Sequence, residues 1–381
     1  MRSPNPIVAL AGLLLIGAAC TKNDTDSASG NVKVRSTDDA CEVSAAAAPS
    51  GNVVFEVTND GSEVTEFYLL ADDGLRIIGE VENIGPGISR NLVVQAAPGG
   101  YFTACKPGMV GDGIRSAFTV SDSGQEVATG DVADLIATGT ELYRLYVRDQ
   151  VGQLVAKTQQ FADLYTAGSD DEARALYADA RTHWERIEPV AESFGDLDPK
   201  LDLREADLEA GQAWTGWHAI EKDLWPPTTD YTPFTADERT ALADLLVVDT
   251  TDLSARVQEL TYDATQLGNG AKELLDEVAT GKVTGEEEIW SHTDLWDFQA
   301  NVDGARIAFE NLQPALETKD PDLATTLTER FTALQQLLDR HRDGEGFPLY
   351  TELSTAEIKA LADAVNALSE PLAELTAAVV L

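Results

Sequence analysis

The most informative stretch of the chain is Thr215-Gly216-Trp217-His218-Ala219-Ile220-Glu221-Lys222. If these residues form a helix, His218 and Glu221 lie on one face, about 60° apart around the axis. An imidazole and a carboxylate that converge from one helix supply half of a metal site. The alternative is a partly buried histidine that is capped by a nearby acid. The surroundings are expected to be apolar, and costly for an unpaired carboxylate, because of Trp214, Trp217 and Trp225.

A second histidine-containing stretch reads Trp290-Ser291-His292-Thr293-Asp294-Leu295-Trp296-Asp297-Phe298-Gln299-Ala300-Asn301. Around both stretches, apolar residues recur at helical spacing, beginning with Leu135, Leu142 and Leu145. No strand-like alternation appears in this part, so residues 132–381 are predicted to form an all-α bundle. The amphipathic runs cover roughly 201–223, 236–248, 252–278, 285–312, 321–342 and 354–380.

Residues 31–121 differ, because short apolar runs alternate with turns. Val53-Val54-Phe55-Glu56-Val57 is rich in β-branched residues and ends at the turn Asn59-Asp60-Gly61. Tyr101-Phe102-Thr103-Ala104-Cys105 follows the break Pro98-Gly99-Gly100. Short strands at this spacing predict an all-β sandwich of about 90 residues. The polar residues 122–131 are the expected linker to the helical bundle.

The charge of the chain limits its partners. Its 66 acidic and 27 basic residues give a formal net charge of −39 over 381 residues. Such a surface repels nucleic acid and anionic membranes, so we exclude nucleic-acid binding. A saline habitat or the solubility of an exported protein explains the charge without a metal site.

Residues 1–19 resemble a bacterial lipoprotein signal peptide. A positive start precedes the apolar residues 7–19, which are too few to span a bilayer comfortably. Gly17-Ala18-Ala19 then precedes Cys20, which we expect to carry a lipid and to begin the mature chain. Residues 20–30 are the expected flexible tether. The chain is thus expected outside the cytoplasm, as a membrane lipoprotein held by its lipid anchor only, or in the periplasm. The alternative is an ordinary secretory signal with a chance cysteine.

The remaining cysteines are Cys41 and Cys105. In an exported protein such a pair most simply forms a disulfide. Across 64 positions it would restrict the unfolded chain by roughly 4 kcal/mol. Residues 98–105, with Met109, resemble the metal-binding end of a cupredoxin, yet the first histidine is His183, which excludes a blue-copper site. Glu66 with the two cysteines is an unusual ligand set, and the alternative is a disulfide beside a surface glutamate.

The whole pattern resembles the EfeO-type family, in which a cupredoxin-like domain precedes an imelysin or M75 peptidase-like helical domain. The resemblance covers nearly all of the mature chain. It is strongest at Arg186-Ile187-Glu188-Pro189, 216–222 and 291–301. It implies iron binding, as Fe3+ or Fe2+, with copper or zinc as alternatives. It also implies delivery to an Ftr1-type iron permease, accompanied by a haem-peroxidase-like partner.

The resemblance also implies site residues. Cys41, Glu66 and Cys105 fall where the family's first domain carries its proposed metal-site residues. Gly100 departs from that pattern, because the family has an acidic residue just before the tyrosine of the last loop. The departure weakens the case for a metal site in the first domain.

Ferric iron is a hard cation that favours carboxylate oxygens and tolerates imidazole. We therefore expect His218 and Glu221 to bind it together with one or two further carboxylates. His292 is expected either to be a ligand or to orient one. Asp294 has the alternative role of a helix N-cap with Thr293. The candidates for the missing ligands are, in order, Asp294, Glu188, Glu185 and Asp303.

Peptidase activity has little support in the sequence. Zincins place two histidines on one helix as HExxH, with the glutamate as base. Here one histidine pairs with one glutamate, and no catalytic residue is assigned. The candidate functions are an iron-binding lipoprotein that delivers iron, an M75 metallopeptidase, and a non-enzymatic ligand-binding or adhesion lipoprotein.

Overall fold

The computed structural model describes residues 31–74, 77–109, 111, 113–124, 130–208, 211–344 and 346–381. The predicted signal segment 1–19, Cys20 and the predicted tether 20–30 lie outside these residues. Within the described part, no helix is both long and apolar enough to cross a membrane. The strands lie in residues 31–121, here called the β domain, and the helices lie in residues 131–380, the helical domain.

The β domain consists of two packed sheets. Its strands are β1 Asn31–Ser36, β2 Cys41–Val43, β3 Ala47–Pro49, β4 Gly51–Asn59, β5 Thr65–Leu70, β6 Ile77–Ile84, β7 Ser89–Ala96, β8 Gly99–Pro107 and β9 Ile114–Ser121. The first sheet has the order β2-β1-β4-β7, and the second has the order β3-β9-β8-β5-β6. Alternating apolar residues meet between the sheets, where the Phe55 ring lies 5.1 Å from that of Phe67 and 5.4 Å from that of Phe118. The predicted β-sandwich is confirmed.

The predicted all-α domain is also confirmed. Its helices are α1 Asp131–Thr166, α2 Asp170–Glu185, α3 Asp198–Asp202, α4 Trp217–Leu224, α5 Ala236–Glu259, α6 Ala264–Thr280, α7 Asp294–Lys319, α8 Pro321–Leu338, α9 Thr355–Leu372 and α10 Leu375–Val380. A 3-10 segment, Glu188–Leu197, precedes α3, and a second one, Lys282–Thr284, follows α6. Large aromatic side chains, including Tyr143, Trp184 and Trp217, are fully buried in the core.

The predicted helix over 201–223 is wrong in its middle. Only α3 and α4 are α-helical there, and among the described residues between them only a short 3-10 turn, Glu205–Asp207, is helical. Gly216 begins α4 with a φ of 85°, and a Cβ at this position would lie 2.2 Å from the carbonyl oxygen of Leu201. This close approach holds the start of α4 against the end of α3. The Trp214 indole N–H also donates to the Leu203 carbonyl at 2.7 Å.

The two domains contact each other through the second sheet and the first. Helix α6 packs against β6 and β7. The Asn269 side-chain amide donates to the Val93 carbonyl at 2.8 Å, and the Gln95 backbone N–H donates to Thr265 Oγ1 at 3.2 Å. The helical domain therefore covers one edge strand of each sheet and pairs backbone groups of β7 that would otherwise face solvent.

Candidate metal centre

His218 and Glu221 lie on α4, and both side chains point into the protein interior. His218 is 2% exposed and Glu221 is fully buried. His218 Nδ1 lies 3.3 Å from Glu221 Oε2. Glu287 and Glu288, from the segment before α7, reach the same ring, as does Asp202 at the end of α3. These five residues are here called the helical-domain cluster.

On the Nδ1 side of the His218 ring, the carboxylates already have protein partners. Glu221 Oε1 accepts hydrogen bonds from two successive backbone N–H groups, at 3.0 and 2.7 Å. Glu288 lies 4.0 Å from Nδ1. Its Oε2 accepts from Ser291 Oγ at 2.8 Å, and its Oε1 lies 2.6 Å from Arg181 Nε. A cation bound here would have to displace some of these partners.

On the Nε2 side, the buried His218 Nε2 has no hydrogen-bond partner within the described residues. Glu287 Oε2 also has none, but it lies 3.5 Å from Arg204 Nη1. Nε2 lies 3.4 Å from Asp202 Oδ1 and 3.6 Å from Glu287 Oε1. One ligand atom from each of these three residues lies within 4.8 Å of the others. Because buried polar atoms are nearly always paired in folded proteins, this side has capacity for a further partner.

Two buried cations accompany the cluster. Arg181 is fully buried, forms an ion pair with Asp202, and lies 2.6 Å from Glu288 and 3.6 Å from Glu287. Lys282 is 1% exposed, and its Nζ lies 3.7 Å from Glu287 Oε1. Arg204 Nη1 also lies 3.5 Å from Glu287 Oε2, so these cations balance much of the negative charge of the four carboxylates before a metal binds.

The two sides of the ring also differ in protonation. Burial and the charge of Glu221 raise the pKa of Glu288 well above its usual value. Burial opposes ionisation of Glu287 as well, but Lys282 and His218 lower the pKa of that carboxyl to about 2. Burial and the nearby arginine oppose a charge on His218, whereas its carboxylate partners raise its pKa. An ionised carboxylate therefore stands on the Nε2 side, where the imidazole atom lacks a partner.

Asp294 and Glu188, predicted as further ligands, belong to neither group of ligand atoms around His218. Asp294 is the first residue of α7, and its Oδ1 accepts from the Glu288 backbone N–H at 3.1 Å. Its role is thus to hold the turn that carries Glu288. Glu188 lies 2.9 Å from Lys282 Nζ and accepts from Asn301 Nδ2 at 2.6 Å. Asp294 Oδ2 has no hydrogen-bond partner among the described residues. The geometry gives both carboxylates structural partners, and their assignment as ligands stays a prediction.

The lower-ranked candidates lie outside the cluster too. Glu185 is buried and lies 3.0 Å from Lys282 Nζ, while Asp303 lies 3.5 Å from Arg186 Nε. His292 is half-buried, has a φ of 60°, and accepts a hydrogen bond at its carbonyl oxygen from the Tyr350 N–H at 2.8 Å. Its backbone, and not its ring, connects it to the structure around the cluster.

Sequence reasoning missed three members of the helical-domain cluster, namely Asp202, Glu287 and Glu288. A signal for two of them was present, because Glu286-Glu287-Glu288 is a run of three acids directly before the second histidine-containing stretch. An acidic run normally indicates a solvated surface. Here Glu286 is exposed, whereas Glu287 and Glu288 are buried. Asp202 carried no local signal, because only tertiary packing of α3 against α4 brings it to His218.

The proposed ligand set of the β domain is not assembled. Cys41 on β2 and Cys105 on β8 form a disulfide that joins the two sheets, so neither sulfur is available as a thiolate. In the pairing of β5 with β8, Phe67 is opposite Cys105, and both side chains belong to the sandwich core. Glu66, one position earlier, therefore points to the other face of the sheet. There it accepts a hydrogen bond from Tyr68 at 2.7 Å.

Comparisons with known proteins agree with this two-domain arrangement. The helical part matches the imelysin family of M75 peptidases over residues 139–375, and residues 7–120 match the cupredoxin-like domain family. The chain is 38% identical to the iron uptake system component EfeO of Yersinia pseudotuberculosis, over 90% of both chains. It is 35% identical to the proteins of that name from Escherichia coli K12 and Shigella flexneri, again over 90% of both chains. The chain therefore belongs to the EfeO family, with a cupredoxin-like domain followed by an imelysin domain.

Proposed function

We propose that the protein binds iron at the helical-domain cluster, outside the cytoplasm, and delivers it to a membrane permease. Its relatives carry the name iron uptake system component, and they align with nearly the whole chain. The observation that carries the proposal is the buried His218 Nε2, which has no hydrogen-bond partner among the described residues and lies 3.4 Å from Asp202 Oδ1 and 3.6 Å from Glu287 Oε1. One nitrogen and several carboxylate oxygens form a hard, anionic donor set that suits iron.

The proposed ligands are Asp202, His218 through Nε2, and Glu287. Glu221 takes a different role, because its Oε2 lies 3.3 Å from the opposite ring nitrogen, Nδ1. A carboxylate that accepts a hydrogen bond from Nδ1–H fixes the tautomer in which Nε2 is free to bind a cation. The two backbone N–H groups that donate to Glu221 hold it in that position. In this arrangement HxxE supplies one ligand and the group that orients it.

The buried cations fit a protein that must release its cargo. Arg181 and Lys282 neutralise part of the cluster before iron arrives. They also repel the bound iron cation, which lowers its affinity below that of an all-carboxylate cage. Capture followed by transfer requires this kind of intermediate affinity, because a site that binds too tightly would not pass iron to a partner.

Location and partner are part of the same proposal. The lipoprotein-like residues 1–20 support a position on the outer side of a cell membrane, with a lipid tether at Cys20. There it would meet an Ftr1-type iron permease. A lipid-anchored donor stays within reach of a membrane partner, which raises the effective concentration for transfer.

Calorimetry of the full chain tests the binding step, with ferric citrate in one series and Fe2+ without oxygen in another. We expect His218→Ala to weaken iron binding by at least about 100-fold, and Glu287→Gln by at least about tenfold. Glu286→Gln is the matched control, because Glu286 is the exposed neighbour of Glu287. Equal affinity in Glu287→Gln and the control would refute the proposed ligand set. Unchanged affinity in His218→Ala would refute iron binding at this cluster.

A further inference from the structure

A second group of carboxylates lies where the two domains meet. Glu80 comes from β6, Glu192 from the 3-10 segment before α3, and Glu273 from α6. One carboxylate oxygen of each lies within 4.8 Å of the other two. These three residues are here called the interface cluster. One ligand comes from the β domain and two come from the helical domain.

Glu80 is the buried member of the interface cluster. It is 7% exposed, and its Oε2 has no hydrogen-bond partner among the residues described. A buried carboxylate without a partner is costly to the folded state. Burial and the charge of Glu192 raise the pKa of Glu80 well above its usual value. This shift agrees with a carboxyl that has no positively charged partner. The Glu80 carboxylate lies beside two others, so a group that satisfies it must be positively charged or a proton donor.

Among the described residues, the only cation shown to act on the interface cluster is Lys272, whose charge opposes the raised pKa of Glu273. Within the described part of the chain, no lysine or arginine nitrogen forms an ion pair with Glu80, Glu192 or Glu273. Lys272 is the sequence neighbour of Glu273, but its ammonium group forms an ion pair with Asp276 on the same helix. The carboxylates around the cluster add to the negative charge, because Glu82 interacts with Glu80 and with Glu273, and Asp276 interacts with Glu273.

The domain boundary leaves a small space beside these carboxylates. A cavity of about 20 Å³ is lined from the β side by Gly79, the residue before Glu80, and from the helical side by Glu192, Asn269 and Glu273, while Glu80 itself lies behind this lining. That volume holds one water-sized group. A single cation, or a cation with one water, fits where an organic ligand does not.

We infer that Glu80, Glu192 and Glu273 bind one hard, oxygen-preferring divalent cation, such as Mn2+, Ca2+ or Fe2+, between the two domains. Three convergent carboxylates without nitrogen or sulfur donors are the ligands that such cations prefer. Because the ligands come from both domains, the bound cation ties the β domain to the helical domain and adds to the stability of their contact. This site goes beyond the proposed iron centre and does not depend on it.

Mn2+ is the probe, because bound Mn2+ is counted by the loss of the electron paramagnetic resonance signal of the free ion. The titration uses the full chain in about 0.15 M salt, which screens loose binding to the acidic surface. We expect Glu80→Gln to lose one tight equivalent of Mn2+, or to weaken it at least about tenfold. Glu259→Gln, an exposed acid at the end of α5, is the control and should titrate like the wild type. Wild-type binding by Glu80→Gln overturns the inference.

A comparison of the Glu80→Gln and His218→Ala variants distinguishes Mn2+ bound at the interface cluster from Mn2+ bound at the helical-domain cluster. Loss of one equivalent in Glu80→Gln and of a different one in His218→Ala supports both sites. Loss only in His218→Ala overturns the interface site and leaves the proposed iron centre standing. Loss only in Glu80→Gln supports the interface site and shows that the helical-domain cluster does not bind Mn2+.

Thermal unfolding shows whether a variant is still folded, so that a loss of Mn2+ binding is not mistaken for a loss of structure. In chelator, Glu80→Gln should melt a few degrees above the wild type, because the amide replaces a buried carboxyl that cannot ionise without facing other carboxylates. Added Mn2+ should raise the melting temperature of the wild type and leave that of Glu80→Gln nearly unchanged. An equal rise in both proteins would overturn the inference.

Discussion

The helical-domain cluster and the interface cluster are both built from buried carboxylates, yet the protein balances them differently. The helical-domain cluster contains a histidine and has two buried cations beside it, Arg181 and Lys282. The interface cluster, made of Glu80, Glu192 and Glu273, has no such partner among the described residues. The difference teaches that the net charge of a buried cluster depends on the charged residues beside it as much as on its own carboxylates.

The consequence is a difference in dependence on metal. A cluster with resident cations holds its shape before a metal arrives, which suits a site that loads and unloads. A cluster without them is strained until a cation binds, which suits a structural ion that remains in place. In our two proposals, the same residue type, glutamate, serves the exchange of iron in one region and the attachment of the domains in the other.

The largest expected effect comes from removing the resident cation of the helical-domain cluster. Arg181→Met should lower the free energy of unfolding by about 3–5 kcal/mol, because several buried carboxylates lose their ion pairs at once. Denaturant titration in chelator measures this loss. Added Mn2+ or Fe2+ should restore part of it, since the variant then resembles the interface cluster.

The matched control is Arg256→Met, whose ion pairs with Asp252 and Asp196 are partly exposed. That variant should lose about 0–1 kcal/mol and show no specific response to metal. If Arg181→Met were as stable as the control, the claim that Arg181 balances the cluster would be wrong.

A smaller effect is expected from the reverse change at the interface. Glu192→Lys places an ammonium beside Glu80 and Glu273, so the interface cluster acquires the resident cation that it lacks. The melting temperature in chelator should rise by a few degrees, and the stabilisation by Mn2+ should disappear. Glu259→Lys reproduces the change of charge at an exposed position. If Mn2+ raised the melting temperature of Glu192→Lys as much as that of the wild type, the proposed difference between the two clusters would be wrong.

The smallest effect concerns Asp198, which interacts with Asp202 of one cluster and Glu192 of the other. Burial and these charges raise the pKa of Asp198 to about 7. A carboxyl whose pKa is raised on folding destabilises the folded state above its unfolded value of about 4, and the destabilisation grows until the pH passes about 7. Asp198→Asn should therefore raise the melting temperature by a few degrees at pH 8 and by less at pH 5.

Asp196→Asn controls for this pH effect. Lys200 and Arg256 lower the pKa of Asp196 to about 2, so its ionised form stabilises the folded state at both pH values. Removing that charge should lower stability slightly, with the same sign at pH 5 and pH 8. A gain of the same size at both pH values in Asp198→Asn would show that burial of a charge is not the cause.

The local part of the helical site was predictable from sequence. Residues three apart on a helix share a face, so the spacing of His218 and Glu221 was enough to predict their convergence. Asp202 was not predictable, because its approach depends on how α3 meets α4. The irregular backbone before Gly216 was not predicted, because apolar residues recur at helical spacing throughout residues 201–223. The close contact between Gly216 and Leu201 explains why the helix is interrupted there.

The β domain shows how strand pairing decides between alternatives that composition leaves open. Cys41, Glu66 and Cys105 were compatible with a metal site or with a disulfide. The register that pairs Phe67 with Cys105 places Glu66 on the opposite face. A shift by one residue would have reversed the outcome, and no local pattern fixes that register.

The interface cluster could not be predicted for a related reason. Glu80 alternates with core residues on β6, and a charged residue in that position normally faces solvent. Only the packing of α6 against the sheet buries it. Contacts between domains leave almost no signal in a single sequence, because each surface resembles an ordinary polar exterior.

The most direct test of the account is anomalous X-ray diffraction at the iron absorption edge, from crystals of the full chain grown with iron. The account predicts a peak within bonding distance of His218 Nε2, between Asp202 and Glu287, with Arg181 still paired to Glu288. A peak on the Nδ1 side, between Glu221 and Glu288, would contradict the assignment of ligands. The absence of any peak at His218, beside full occupancy elsewhere, would contradict the helical-domain cluster as the iron centre.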